Sequence, residues 1–276
     1  MQQRRADGRV LMRAAVLGSP VAHSLSPRIH NAGYAAAGLT GWRYTAHECD
    51  ERQLASFVDG LDATWAGLSL TMPLKEVVLD IADELTPLVA ELGAANTLVV
   101  RDGRRVLHNT DAPGLVDALA ETGTVAAEKV SILGSGGTAR AALSAAKDLG
   151  ATEAVVHVRR ESAAYAELAP VAERLGVPLI VRPWSAIGDI AASDVVFSTV
   201  PKGVTDDLEI DWRADTVLFD VLYDPWPTPL AANAAGAGCV VLDGLALLLA
   251  QAVRQFELFT GVAAPVEAMR AALIGR

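Results

Sequence analysis

The chain has 276 residues, 51% hydrophobic and 20% charged, with a formal net charge of -10. This is the composition of a folded protein rather than a disordered one, and its length exceeds that at which a single core usually stops growing, so two domains are expected. The acidic balance excludes a general nucleic-acid binder, which needs clustered Lys and Arg, and two distant cysteines, Cys49 and Cys239, outside any CxxC or Cys/His spacing exclude a disulfide framework and a zinc site.

The N-terminal "MQQRRADGRVLMR" carries charge but no apolar run of signal-peptide length. Short apolar runs then alternate with helical patterns. "AAVLG" reads as a strand and is followed by "SPVAHSLSPRIHNAGYAAAG", in which Ser26 is a natural N-cap, Pro27 suits the first helical position and Gly38 suits the stop. Capping leaves Ser24 unexplained, and two hydroxyls beside free helical N–H groups make a compact site for a small carboxylate. "WAGLSLT" reads as a strand and "PLKEVVLDIADEL" as a helix opened by Pro73, which puts Lys75 in the first turn, where a cation opposes the helix dipole. In "GAANTLVV", Asn96 and Thr97 have an ordinary reading as turn residues before a strand, and Asp111 in "HNTDAPG" reads as the cap of the next helix.

A fresh βαβ unit opens at "EKVSILGSGGTAR", which gives a strand, then Gly134, Gly136 and Ala139 at GxGxxA spacing, then a helix. Glycines there let the backbone turn tightly and approach a pyrophosphate at a helix N-terminus. The bland alternative is a plain strand-to-helix turn. The next strand, "AVVHV", ends in Arg159 and Arg160, where a NAD-binding domain would place Asp or Glu for the ribose diol. Two guanidiniums suit a 2′-phosphate instead, so NADP is favoured over NAD, against the plainer reading of an exposed basic pair. "SAAYAELAPVAERLG" is helical, "VLFDVLYDPWPTPL" and "CVVLDG" contain strands, and Leu245 to Thr260 is a long helical pattern. The strand-helix alternation implies an α/β fold with parallel sheets covered by helices. The most apolar stretch, "CVVLDGLALLLAQAV", is broken by Asp243 and Gln251 and is too short to span a bilayer, so a cytoplasmic, soluble protein is expected.

Taken in order, "GSPVAHSLSPRIHN", "GLSLTMPLKE", "GAANTL", "NTDAPG", "GSGGTAR", "DVLYDPWPTPL" and "DGLALLLAQAVRQFELFTG" resemble the shikimate dehydrogenase family from about Ala14 to the C-terminus, with wording in "YDPWPTPL" like its actinobacterial branch. The resemblance implies an N-terminal α/β substrate-binding and catalytic domain, residues 13–113 with 245–276, and a Rossmann-type NADP-binding domain, residues 114–244, with a cleft between them. It implies reversible reduction of 3-dehydroshikimate to shikimate by NADPH, a step of aromatic amino-acid biosynthesis, in a monomer or homodimer with a small-molecule substrate and no nucleic-acid or membrane partner.

The resemblance also implies site roles. Ser24 and Ser26 would hold the substrate carboxylate with Tyr223 assisting, and Thr71, Asn96 and Gln251 would bind ring hydroxyls. Lys75 and Asp111 would flank the reacting oxygen as the catalytic pair. Gly134, Ser135, Gly136, Gly137, Thr138 and Ala139 would form the pyrophosphate loop. Arg159 and Arg160 would meet the 2′-phosphate, and Ser198, Val200, Val221, Gly244 and Leu247 would line the rest of the cofactor site. No metal is implied. The sequence departs from the family pattern at Ser69, where Asn is usual, at Val158 and Ser198, each replacing Asn, and at Leu247, where Met is common. Two rival readings are a catabolic quinate/shikimate dehydrogenase using NAD, which an acid near position 159 would favour, and a non-catalytic NADP-binding regulatory module, against which Lys75 and Asp111 in their motifs argue.

Overall fold

The computed structural model describes residues 11–274. Residues 1–10, which hold most of the N-terminal segment judged unlike a signal peptide, lie outside the described residues. The chain divides into two compact units, one running to Thr110 and resuming at Gln251, the other Asp111–Ala250.

The first unit contains β1 (Met12–Gly18), α1 (Ser26–Ala36), β2 (Trp42–Glu48), α2 (Glu51–Asp59), β3 (Trp65–Leu70), α3 (Leu74–Val77), β4 (Glu84–Leu85), α4 (Pro87–Leu92), β5 (Thr97–Arg101) and β6 (Arg104–His108). The second contains α5 (Asp111–Glu121), β7 (Lys129–Leu133), α6 (Gly137–Asp148), β8 (Glu153–Val158), α7 (Glu161–Leu175), β9 (Leu179–Pro183), β10 (Val195–Ser198), β11 (Val217–Asp220), α8 (Pro229–Gly236) and β12 (Val240–Leu242). Helix α9 (Gly244–Thr260) carries the chain back, and α10 (Val266–Ile274) packs on α1.

The first sheet has the order β2-β1-β3-β5-β6-β4. It is not the wholly parallel sheet that strand-helix alternation suggests: β1, β2 and β3 are parallel, whereas β5 is antiparallel to both β3 and β6. The reason is local. Arg101 pairs with Arg104 across a two-residue loop in which Asp102 (φ 52°) and Gly103 (φ 76°) are both left-handed, the demand of a type I′ hairpin turn. The helix expected over 73–85 also breaks. It gives one α-turn, a 3₁₀ turn at Val78–Ile81 and then β4, which pairs with β6. Leu74 and Val78 are buried in the cluster of Leu17, Leu54, Leu68 and Leu98, so the apolar spacing is met without a long helix.

The second sheet is parallel throughout, in the order β12-β11-β10-β7-β8-β9. Counted from its first strand, β7, this is the 3-2-1-4-5-6 arrangement of dinucleotide-binding folds, with its switch point between β7 and β10. Its central strands β7, β10 and β11 are buried along nearly their whole length, as strands of a parallel sheet covered on both faces are. Among the described residues no helix is long and apolar enough to cross a membrane, and no cluster of His, Cys, Asp and Glu could hold a metal ion.

Candidate active site

Ligands of open α/β sheets gather beyond the carboxyl ends of the parallel strands. In the first unit the chain leaves β1 at Gly18 and reaches Ser24 and Ser26; it leaves β3 at Leu70 and reaches Thr71 and Lys75. These loops are tied together. Ser19 N–H donates to the Met72 carbonyl at 3.0 Å, Thr71 N–H to the Leu17 carbonyl at 2.9 Å, and the Glu48 carboxylate accepts from Ser19 Oγ at 2.6 Å and Val21 N–H at 3.1 Å.

The serine pair differs from the sequence expectation. Leu25 occupies the cap position, Ser26 is already helical, and Pro27 follows it. Ser24 supplies the capping contact, accepting the Ser26 N–H at 3.3 Å. Ser26 is buried, at 5% exposed, and Ser24 is half-buried.

Lys75 is half-buried in the single turn of α3, too short for a substantial dipole, so its cation costs less there than a full helix would exact. Its carbonyl accepts the Ala95 N–H at 2.8 Å, which fixes it beside the segment carrying Asn96. Asn96 is buried and donates through Nδ2 to Thr110 Oγ1 at 2.9 Å, while its Oδ1 accepts from Thr97 Oγ1 and from Thr110 N–H, both at 2.8 Å. Leu70 N–H donates to the Asn96 carbonyl at 2.7 Å. The first unit thus brings Thr71, Lys75 and Asn96 together at one end of its sheet. Gln251, buried in α9, belongs to the same unit. Asp111 follows Thr110 directly, is 5% exposed and is the first residue of α5 rather than its cap.

In the second unit the glycine loop sits at the switch point. Gly134 has φ 105°, and a Cβ there would lie 2.8 Å from Thr199 Oγ1, so both conformation and space require glycine. Thr199 holds the loop, donating from N–H at 3.0 Å and from Oγ1 at 2.7 Å to the Leu133 carbonyl. Gly136 caps the twelve-residue α6, and a Cβ there would meet nothing within 4 Å. Open backbone N–H groups at a long helix start fit a pyrophosphate. Ser135, Gly137 and Thr138 are half-buried, and Ala139 is fully buried against the fold. Arg159 and Arg160 are exposed immediately beyond β8, a placement that fits a 2′-phosphate. Gly244 is forced by packing: a Cβ would lie 2.1 Å from the Val221 carbonyl oxygen. Val221 and Tyr223, both half-buried, follow β11, Ser198 and Val200 are buried at and beyond the end of β10, and Leu247 is buried in α9.

Several residues escaped the sequence reading. Asp220 is fully buried at the end of β11, where burial pushes its carboxyl above the ordinary range against bonds from Thr228 Oγ1 at 2.7 Å and Leu222 N–H at 3.2 Å. Ser198 Oγ lies beside it without completing a hydrogen bond of normal geometry. Glu48, Thr110 and Gln255 likewise support the predicted site residues, and Gln255 alone carried a signal, since it lies four positions after Gln251 and so on the same helical face.

Residues 16–98 match the model of the shikimate dehydrogenase substrate binding domain, and residues 244–274 that of the shikimate 5'-dehydrogenase C-terminal domain. A shikimate dehydrogenase (NADP(+)) of Desulfitobacterium hafniense is 35% identical over 266 residues, covering 94% of this chain and 96% of that relative. The chain belongs to the shikimate dehydrogenase family. Within that family, the crystal structure of the Mycobacterium tuberculosis shikimate dehydrogenase superposes with a TM-score of 0.87 at 43% identity, covering 96% of this chain and all of the other. A Thermus thermophilus shikimate 5-dehydrogenase in complex with NADP(H) and shikimate superposes with a TM-score of 0.84 at 29% identity, covering 95% of this chain and 98% of the other. Relatives in the shikimate dehydrogenase family therefore match both units of this chain, the glycine loop included.

Proposed function

We propose that this chain is an NADPH-dependent shikimate dehydrogenase, catalysing the reversible reduction of 3-dehydroshikimate to shikimate in aromatic amino-acid biosynthesis. The observation that carries the reading is the near end-to-end match to relatives named shikimate dehydrogenase (NADP(+)), in a chain that keeps Lys75 in "TMPLKE" and Asp111 in "NTDAPG". The paired arginines after β8, with no carboxylate before Glu161, support NADP over NAD.

Bound NADPH supplies the hydride. The protein's own work is to hold the acid and manage charge. Ser24 and Ser26, at the start of α1, take the substrate carboxylate, with Tyr223 assigned to the same group. Thr71, Asn96 and Gln251 take ring hydroxyls. Negative charge grows on the carbonyl oxygen as reduction proceeds, and the Lys75 ammonium stabilises it and gives it a proton, then regains one from solvent. Asp111 hydrogen-bonds the same hydroxyl and keeps the ammonium oriented. The loop from Gly134 to Ala139 grips the pyrophosphate, Arg159 and Arg160 the 2′-phosphate, and Ser198, Val200, Val221, Gly244 and Leu247 the remainder of the cofactor. A cytoplasmic location and a monomeric or homodimeric state belong to the same proposal; two buried free cysteines suit a reducing compartment.

The test is a spectrophotometric assay of shikimate oxidation with NADP at alkaline pH, run beside NAD and beside quinate. Efficient turnover with shikimate and NADP is expected. Preference for NAD, or efficient quinate oxidation, overturns the assignment in favour of a catabolic enzyme, and no turnover with any pair overturns catalysis.

A further inference from the structure

One exposed carboxylate holds the turn between β1 and α1 to the rest of the first unit. Glu48 closes β2, in register with Gly18 at the end of β1. As far as Ser19 the chain is fixed through its backbone, since Cys49 N–H donates to the Gly18 carbonyl at 2.9 Å and Ser19 N–H to the Met72 carbonyl at 3.0 Å. From Ser26 onward it is fixed as helix. Among the described residues, the backbone of residues 20–24 is hydrogen-bonded to another element at one point, from Val21 N–H to Glu48 Oε2 at 3.1 Å. Glu48 Oε1 takes the Ser19 hydroxyl at 2.6 Å, so the carboxylate grips the start of the turn on both sides of Pro20.

The tie runs on to Ser24. Ser24 N–H donates to the Val21 carbonyl at 2.9 Å, and Ser24 Oγ accepts the Ser26 N–H at 3.3 Å. With that donor on its oxygen, and with no acceptor for its proton among the described residues, the Ser24 hydroxyl is left to donate outward. An anionic acceptor suits it best, because a charge-assisted hydrogen bond is the stronger kind. Val21 is 3% exposed. With Glu48 gone its N–H would be buried without an acceptor unless the turn shifted to admit water, and Ser24 would shift with it.

We propose that Glu48 is a positioning residue of the substrate site, which by holding Val21 aims the Ser24 hydroxyl as a donor to the substrate carboxylate. The proposal rests on reading the first unit as the shikimate site. What Glu48 contributes is acceptor geometry rather than charge, since a negative group beside a site for an anion opposes binding. Glutamine has the same length, keeps an oxygen for the Val21 N–H and can donate its amide N–H to Ser19 Oγ. It therefore preserves the hold while removing the charge.

The experiment is steady-state kinetics and thermal melting of the full chain and of Glu48→Ala, Glu48→Gln, Ser24→Ala and the Glu48→Ala/Ser24→Ala double variant. Glu48→Ala is expected to raise the KM for shikimate about tenfold, to change kcat by less than about threefold, and to leave the KM for NADP unaltered. Glu48→Gln is expected to bring the KM for shikimate back to within about threefold of the parent. The double variant is expected to be no worse in KM for shikimate than Ser24→Ala alone, because Glu48 acts through Ser24. A folded Glu48→Ala whose KM stays within about twofold of the parent, a glutamine variant as impaired as the alanine one, or losses that multiply in the double variant overturns the proposal. Should Glu48→Ala not fold, Ser19→Ala, which frees one side of the carboxylate, carries the test: a raised KM that does not multiply with Ser24→Ala supports the proposal, and an unchanged or multiplying one overturns it. A parent protein that neither binds nor oxidises shikimate would instead overturn the functional reading beneath it.

Discussion

Ser24 Oγ accepts the backbone N–H of Ser26 at 3.3 Å, so the two hydroxyls that prompt a carboxylate-binding reading are not equivalent. Ser26 is buried and already part of α1, whereas Ser24 is half-buried and caps it from outside. On the proposed assignment, replacing either by Ala removes a donor to the substrate carboxylate, and a hydrogen bond to a charged group contributes about 1.5–3 kcal/mol. Each single variant is expected to raise the KM for shikimate by roughly 10- to 100-fold with the NADP KM unchanged. Only Ser24→Ala should also lower the melting temperature, because it alone removes the contact to the first helical N–H. Equal melting temperatures would show that this contact does not hold the helix start.

Lys75→Ala should lower kcat by two or more orders of magnitude and leave NADPH affinity, measured by quenching or calorimetry, nearly intact. The fold should tolerate the change, since the side chain is half-buried and the variant keeps the backbone carbonyl that accepts the Ala95 N–H. A variant as active as the parent would remove Lys75 from the mechanism.

Arg159 and Arg160 stand exposed directly after β8, the place where cofactor phosphate choice is read in this kind of sheet. Arg159→Ala is expected to weaken NADPH roughly 10- to 100-fold, by loss of charge-assisted hydrogen bonds, and to leave NADH affinity almost unchanged. The comparison is made by titrating both nucleotides against parent and variant. A uniform loss for the two would show that Arg159 does not read the phosphate.

The glycine loop was legible because its demands are local. A strand, three glycines and a helix start lie within eleven residues of sequence, "VSILGSGGTAR", and the structure places them at the switch point. The hairpin at Asp102–Gly103 was also written locally, as an Asp-Gly turn between apolar runs, but the dominant strand-helix alternation masks it. The segment 73–85 misleads for a different reason. Leu74 and Val78 satisfy helical spacing, yet what buries them is a core assembled from β1, α2, β3 and β5. Gln255 was illegible in role because its partners lie 186 positions away at Ser69 and 158 at Thr97.

The same long-range packing makes a prediction about acid stability. His30 is fully buried on α1, its ring stacked on Tyr44 at 4.1 Å and flanked by Tyr34 and Phe259, and neither ring nitrogen has a hydrogen-bond partner. Burial pushes its pKa down to about 3, offset only in part by neighbouring Gln255. The unfolded chain takes up a proton at this residue near its ordinary value of 6.5, while the folded chain stays neutral. The contribution to stability is therefore complete above pH 6.5 and is lost as pH falls toward 3, at roughly 1.4 kcal/mol per unit. Ordinary carboxylates titrate mostly below this upper part of the window. Between pH 7 and 5, His30→Phe should then lose about 2 kcal/mol less unfolding free energy than the parent, measured by denaturant titration at both pH values. Burial also lowers His47, His108 and His157, so some acid sensitivity should survive in the variant. A variant that loses as much stability as the parent would show that the folded chain takes up the His30 proton as readily as the unfolded one.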